Sequence, residues 1–227
     1  MNNRISPRFS RWAATADLAQ SLSGGLLALF LWVHLLLVSS ILFGPEAMRF
    51  VARNMELAFL DPAGQGYPVV VSLMGLGILL LVALHAVTAL RKFPQNLRQW
   101  RALNRQMGQV HSRETRLWRW QVVTGFVLFL LLPAHLWMMI NQPETIGPEG
   151  SAARVWDQRM LWLYLPLLAA VEVHAMVGVY RLVMKWCPVS PERRATLVRL
   201  RSLLSVLFIG IGLASLLAFV RYAQLAS

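Results

Sequence analysis

Hydrophobic residues in this chain gather into five long runs instead of alternating with polar ones. The runs cover roughly 21–44, 67–90, 117–140, 160–183 and 202–221. A helix needs about 20 residues to cross a hydrocarbon core of ~30 Å, so each run is long enough to span. Membrane barrels would need segments of about ten alternating residues, and the chain shows none. The pattern predicts an all-α integral membrane bundle of five transmembrane helices, a single membrane domain over 1–227.

The connections are polar and rich in turn residues. Arg11–Gln20 reads as a short interfacial helix before the first span. The stretch MELAFL predicts a short surface helix, followed by the turn sequence DPAGQGYP. Pro94 forbids simple continuation of the second span, and NLRQWRALNRQ after it has helical composition. NQPETIGPEG and CPVSPERR turn the chain between the later spans. Trp118 and Trp120 on one side of the third span and Trp137 on the other sit where aromatic belts meet headgroups. Gly210, Gly212, Ala214 and Ser215 in the last span suit close helix packing. No internal repeat is evident. The first run starts too deep and is too long for a signal-peptide core, so the N-terminal segment is expected to be retained.

Composition agrees with the pattern: 57% of residues are hydrophobic and only 14% charged, against about a quarter in soluble domains. The net charge of +12 raises nucleic acid as a partner, but the cations sort by connection. Arg4, Arg8 and Arg11, eight cations from Arg91 to Arg119 and six from Arg181 to Arg201 make 17 on one side. Only Arg49, Arg53, Arg154, Arg159 and Arg221 fall on the other, together with Glu46, Glu56, Asp61, Glu144, Glu149 and Asp157. The excess of Lys and Arg marks the cytoplasmic side. The N-terminus is therefore predicted inside and the C-terminus outside, with no nucleic-acid role. A single cysteine, Cys187, excludes an intrachain disulfide framework and any cysteine-held iron–sulfur cluster within the chain.

Candidate chemistry lies inside the spans. Four of the five histidines are intramembrane, one in each of the first four spans: His34, His85, His135 and His174. One such histidine is ordinarily a hydrogen-bonded interior residue; four, one per helix, point to ligands. Structural zinc prefers closely spaced tetrahedral sets, whereas bis-imidazole haem draws on two facing helices. Depth pairs His85 with His174 for an inner haem and His34 with His135 for an outer one, stacked across the membrane. His111, in a basic connection, reads as solvated. Gln20, Ser21, Trp118 and Lys185 reach the level where inner-haem propionates would need donors, although Trp118 also fits an aromatic belt and Lys185 a snorkelling cation. Glu172, two residues from His174, faces roughly 200° away around the helix. It therefore cannot be a second ligand to the same metal from that face.

With the histidines placed, the chain resembles the dihaem cytochrome b membrane subunit of quinol:fumarate reductases and succinate:menaquinone reductases, the class with one five-helix anchor. The resemblance runs through QSLSGGLLALFLWVHLLLVSSILFG, PVVVSL, HAVTALRKFPQN, TRLWRWQVVTGF, HLWMMINQPETIGP and VEVHAMVGVYRLVMKW. It implies two haem b groups with His34, His85, His135 and His174 as axial ligands, and propionate contacts at Gln20, Ser21, Trp118 and Lys185. It further implies menaquinol oxidation at Glu56 and proton transfer at Glu172. The implied partners are an FAD-bearing flavoprotein and an iron–sulfur subunit on the cytoplasmic face of a bacterial inner membrane, in complexes that can pair as dimers of heterotrimers. Electrons would run from menaquinol to fumarate, or the reverse in a succinate:menaquinone reductase. Cytochrome b anchors of other respiratory enzymes distribute their histidines differently. A haem-free transporter using buried histidines for protons is the alternative from another class.

Overall fold

The computed structural model describes residues 7–110 and 112–226. His111 and Arg4 lie outside the described residues. Eight α-helices follow one another among these residues: α1 (Pro7–Val38), α2 (Pro45–Met55), α3 (Val69–Leu90), α4 (Leu97–Gln109), α5 (Arg113–Asn141), α6 (Pro148–Val155), α7 (Leu161–Trp186) and α8 (Pro191–Ala226). Five of them, α1, α3, α5, α7 and α8, are long and apolar enough to cross a membrane. No strand occurs among the described residues.

The spans alternate in direction, which the interhelical contacts fix. Near one end, Asp17 of α1 meets Arg91 just beyond α3, and Glu114 of α5 accepts from Tyr180 of α7 at 3.1 Å. Towards the other end, Ser72 of α3 donates to the Ile140 carbonyl of α5 at 2.7 Å. We call the first the basic end, since the arginine-rich α3–α5 and α7–α8 connections lie there, and the second the far end. α8 packs along α7 and reaches α1's far terminus, where the buried Ser215 hydroxyl donates to Ser39 at 3.0 Å.

α2 and α6 cover the far end. Met48 and Ala152 join Ile41, Val155, Phe219 and Ala223 in a buried apolar cluster, so the connections are packed against the bundle. Arg49 bridges the two covering helices through Glu46 and Glu149.

Several expectations need revision. The segment 11–20 is not a separate interfacial helix but the first turns of α1, because alanines and other helix formers carry the helix onward without a break. α8 likewise begins at Pro191, well before the apolar run that starts near 202. The helix near MELAFL lies upstream, at Pro45–Met55, with proline in its first turn. MELAFL itself supplies the helix end and a 3-10 turn at Ala58–Leu60. α6 was not expected at all. Pro133 and Pro166 stay within α5 and α7, which continue through them.

Candidate functional site

The four intramembrane histidines meet in two pairs. His34 of α1 and His135 of α5 have ring centroids 6.2 Å apart. His85 of α3 and His174 of α7 have theirs 6.3 Å apart. Along α1, His34 lies eleven residues beyond Ser23, the level at which His85 is held. The pairs are thus separated by about 16 Å along the bundle.

Both rings of the basic-end pair are anchored through Nδ1. His85 Nδ1 lies 3.2 Å from the Ser23 hydroxyl, and His174 Nδ1 donates to the Gln121 carbonyl at 3.0 Å. A neutral imidazole with its proton on Nδ1 keeps its lone pair on Nε2, the state a metal ligand needs. At the far end, His34 stacks on Phe30 at 5.5 Å. The His135 and Tyr164 rings meet edge to face with centroids 5.7 Å apart, and His135 Nδ1 is buried without a partner.

This geometry suits haem. Two imidazoles sharing one iron through Nε2 would set their centroids about 6 Å apart, given metal–nitrogen bonds of about 2 Å. Glycines complete the fit: a Cβ at Gly24 would stand 2.9 Å from His85 Cε1, and one at Gly125 would stand 3.1 Å from His174 Cε1. No cluster of three or more His, Cys, Asp or Glu occurs among the described residues. The described residues thus offer histidines in twos, the donor set that would hold a haem iron.

The residues expected to receive propionates lie at the basic end but are engaged differently. Lys185 reaches Asp17 Oδ2 at 3.2 Å. Ser21 donates to the Asp17 carbonyl at 2.8 Å and accepts from the Trp186 indole at 3.0 Å. Gln20 Oε1 is buried without a partner, and Trp118 is half-buried on the first turns of α5. Asp17 also holds Lys92 at 2.8 Å, so one carboxylate gathers three cations at this level.

Glu172 is fully buried at 0% exposure, with both carboxyl oxygens unpartnered. Trp32 of α1 brings its indole N–H toward this carboxyl without closing a hydrogen bond. Side chains on a helix lean toward its N-terminus. On antiparallel α1 and α7 this makes Trp32 lean to the basic end and Glu172 to the far end, so they approach between the two histidine pairs.

Glu56 ends α2 and is only 8% exposed, which contradicts simple surface solvation. Burial pushes its carboxyl pKa up, opposed by the Arg53 charge. The following loop folds over it. Asp61 accepts from the backbone N–H groups of Gln65 at 2.7 Å, Gly66 at 2.9 Å and Ala63 at 3.1 Å. Tyr67 N–H then returns to the Glu56 carbonyl at 2.6 Å. Gly66 adopts φ +91° against the Glu56 side chain, where a Cβ would come within 2.8 Å. Leu57, next to Glu56, also sits in the left-handed region at φ 58°, an unfavourable conformation for a non-glycine residue that the surrounding packing maintains.

One residue escaped sequence reasoning. Arg154 of α6 is 3% exposed. It donates to Ser151 Oγ at 3.1 Å and to Thr145, with the Tyr164 hydroxyl beside it. It has no carboxylate partner among the described residues. A buried cation without a counter-charge is unfavourable by several kcal/mol, and this one stands next to the tyrosine that touches His135. Its signal in sequence was an arginine among the acidic residues Glu144, Glu149 and Asp157 of the same connection.

The sequence also holds a repeat that its apolar surroundings hide. α1 reads Gln20-x-x-Ser23-Gly24-x9-His34, and α5 reads Gln121-x-x-Thr124-Gly125-x9-His135. In each copy the Ser/Thr–Gly step receives a histidine from the neighbouring helix.

Comparison with known proteins agrees with the architecture. Residues 95–214 match the family described as succinate dehydrogenase/fumarate reductase transmembrane subunit. The chain is 40% identical over 208 residues to the fumarate reductase cytochrome b subunit of Helicobacter pylori, covering 92% of this chain and 81% of that one. It is 39% identical over 216 residues to the subunit of the same name from Wolinella succinogenes, covering 93% and 84%. With five apolar spans and these matches, the chain belongs to the succinate dehydrogenase/fumarate reductase transmembrane subunit family, as a multi-pass protein of the bacterial inner membrane.

Proposed function

We propose that this chain is the dihaem cytochrome b subunit that anchors a fumarate reductase, oxidises menaquinol and passes electrons to an iron–sulfur subunit. The observation that carries this reading is the pairing of four intramembrane histidines into two facing sets, at 6.2 and 6.3 Å. Relatives that cover most of the chain bear the name fumarate reductase cytochrome b subunit. Two b haems, one per pair, would supply one-electron chemistry at two depths.

The chain's own groups divide the remaining work. His85 and His174 hold iron at the basic end, and His34 and His135 hold it at the far end. Gln20, Ser21, Trp118 and Lys185 serve the propionates of the basic-end haem. Arg154, buried without a carboxylate, serves the anionic edge of the far-end haem. Glu56, beneath its loop, takes a proton as menaquinol gives up two electrons and two protons. Burial raises its pKa, which makes the carboxylate a stronger base toward that proton.

The 17 cations support a cytoplasmic basic end, which would face a flavoprotein with FAD and the iron–sulfur subunit. Charge complementarity would steer their docking. Two electrons moving inward from quinol oxidised outside would work against the membrane potential, at ~2.3 kcal/mol per charge per 100 mV. Protons carried inward beside them remove that opposition. Glu172, fully buried between the pairs with free oxygens, is the group placed to relay them.

The test is a dithionite-reduced haem spectrum with haem and protein both quantified, on the purified complex. About two b haems per chain, oxidised by fumarate and reduced by a menaquinol analogue, is the expected result. A haem-free chain, or one haem per chain, overturns the reading.

A further inference from the structure

From the repeated Gln-x-x-Ser/Thr-Gly-x9-His segment of α1 and α5 we infer that Ser23 and Thr124 are paired positioning residues. Both copies act on the same haem, the one at the basic end, by fixing the tautomer and electron donation of His85 and His174. This rests on the dihaem reading above and adds to it.

The two copies are offset by 101 positions at every shared residue, from Gln20 and Gln121 to His34 and His135. Each copy contributes its own histidine to the far-end pair and receives a foreign one at the basic end. α1 receives His85 of α3, and α5 receives His174 of α7. The receiving step has a large and a small component. Glycine lets the ring lie against the helix backbone, and a Cβ would close to 2.9 Å at Gly24 and 3.1 Å at Gly125. The hydroxyl before it faces Nδ1, at 3.2 Å for Ser23 and 3.4 Å for Thr124.

The direction of these bonds is determined by what else each group does. Ser23 Oγ donates its only hydrogen to the Ala19 carbonyl at 2.7 Å, so toward His85 it can only accept. Thr124 Oγ1 donates to the Trp120 carbonyl at 2.7 Å and is likewise left as an acceptor. The Gln121 carbonyl, which can only accept, takes the His174 Nδ1 proton at 3.0 Å, and the Gln20 carbonyl stands correspondingly by His85. Both rings are therefore held with the proton on Nδ1 and the lone pair on Nε2.

An Nδ1–H donated to oxygen makes the ring a stronger electron donor to a metal on its other nitrogen. Oxidised iron would gain more from that donation than reduced iron, so the hydroxyls, as second acceptors of the Nδ1 protons beside the Gln20 and Gln121 carbonyls, would lower the potential of a basic-end haem. At the far end, His135 Nδ1 is buried without a partner among the described residues.

The experiment is a redox titration of the purified holo-complex, resolving both haems, for wild type, Ser23→Ala, Thr124→Val, Ser23→Thr and Thr124→Ser. In Ser23→Ala and in Thr124→Val, the same single haem should rise in midpoint potential, with the other unmoved. The hydroxyl-retaining Ser23→Thr and Thr124→Ser should stay closer to wild type than their apolar counterparts. Gly24→Ala should reduce haem content from two to one per chain, and the haem lost should be the one that the hydroxyl variants shift. Unmoved potentials, or shifts that fall on different haems in the two variants, would overturn the inference while leaving the dihaem reading intact. Absence of two haems in the wild type would instead remove the reading beneath it.

Discussion

Asp17 of α1 and Lys185 of α7 face each other at 3.2 Å, across 168 residues of chain. The same carboxylate holds Lys92 at 2.8 Å and Arg91 beside it, so α1, the end of α3 and α7 are tied at one point. Asp17 is about one-third exposed, and each exposed pair alone is worth only ~0–1 kcal/mol after screening. Three cations on one carboxylate make a network, and its loss should be felt together. Asp17→Asn should lower the thermal midpoint of the detergent-solubilised complex by a few degrees, roughly 2–4 °C per kcal/mol lost. The difference should shrink in high salt. An unchanged midpoint at low salt would mean that the cluster contributes no stability.

The histidine pairs predict a selective loss. His174→Ala should remove the basic-end haem and leave the far-end one, and His135→Ala should do the converse. Haem per chain should fall from about two to about one in each variant, and the remaining absorption band should differ between them. Two haems persisting in His174→Ala would overturn the ligand assignment.

The spans were legible because a bilayer demands uninterrupted apolar helix and admits little else. Their ends were less so. Hydropathy marks where lipid stops, whereas α1 and α8 continue into water on alanines, arginines and leucines that favour helix regardless of solvent. The pairing of His34 with His135 and of His85 with His174 followed from depth alone, since helices that alternate in direction leave few other matches. Arg154 did not follow: on the page it is one charge in a connection, and its burial depends on α6 packing beneath α8. Nor did the receiving sites at Ser23 and Thr124, because small residues in an apolar run carry no hydropathy signal. Their spacing from His34 and His135 was the available clue.

Glu56 gives a pH dependence. Burial raises its carboxyl pKa, so the deprotonated form that accepts quinol protons appears at higher pH than in a free glutamate. The acid limb of menaquinol oxidation should therefore sit above that of a free glutamate. In Glu56→Gln both the limb and most of the rate should vanish, with both haems retained. Asp61, held below the usual carboxylate range by the Gly66, Ala63 and Gln65 N–H groups, has the opposite sign. Its hold on the loop is present at neutral pH and is lost only as pH falls through its lowered pKa. A rate profile of Glu56→Gln that matched wild type would remove Glu56 from the chemistry.

Glu172 separates electron from proton movement. It lies two residues from His174 on α7 but faces another way, about 200° around the helix, and it is fully buried with free carboxyl oxygens. Glutamine keeps its size and polarity and removes its ability to ionise. Glu172→Gln should retain both haems and their spectra, because no histidine depends on it. Quinol-driven fumarate reduction should fall at least tenfold, which corresponds to ~1.4 kcal/mol in the barrier. Activity measured with a small reductant that delivers electrons directly to the catalytic subunits should be unchanged, since that route bypasses this chain. Trp32→Phe removes the indole N–H that leans toward Glu172 but leaves an aromatic ring beside Phe208, on which the Trp32 indole stacks, and it should produce a smaller loss of the same kind. If Glu172→Gln turned over menaquinol at the wild-type rate, proton transfer would have to run elsewhere, and the burial of this carboxyl would have no role in the reaction.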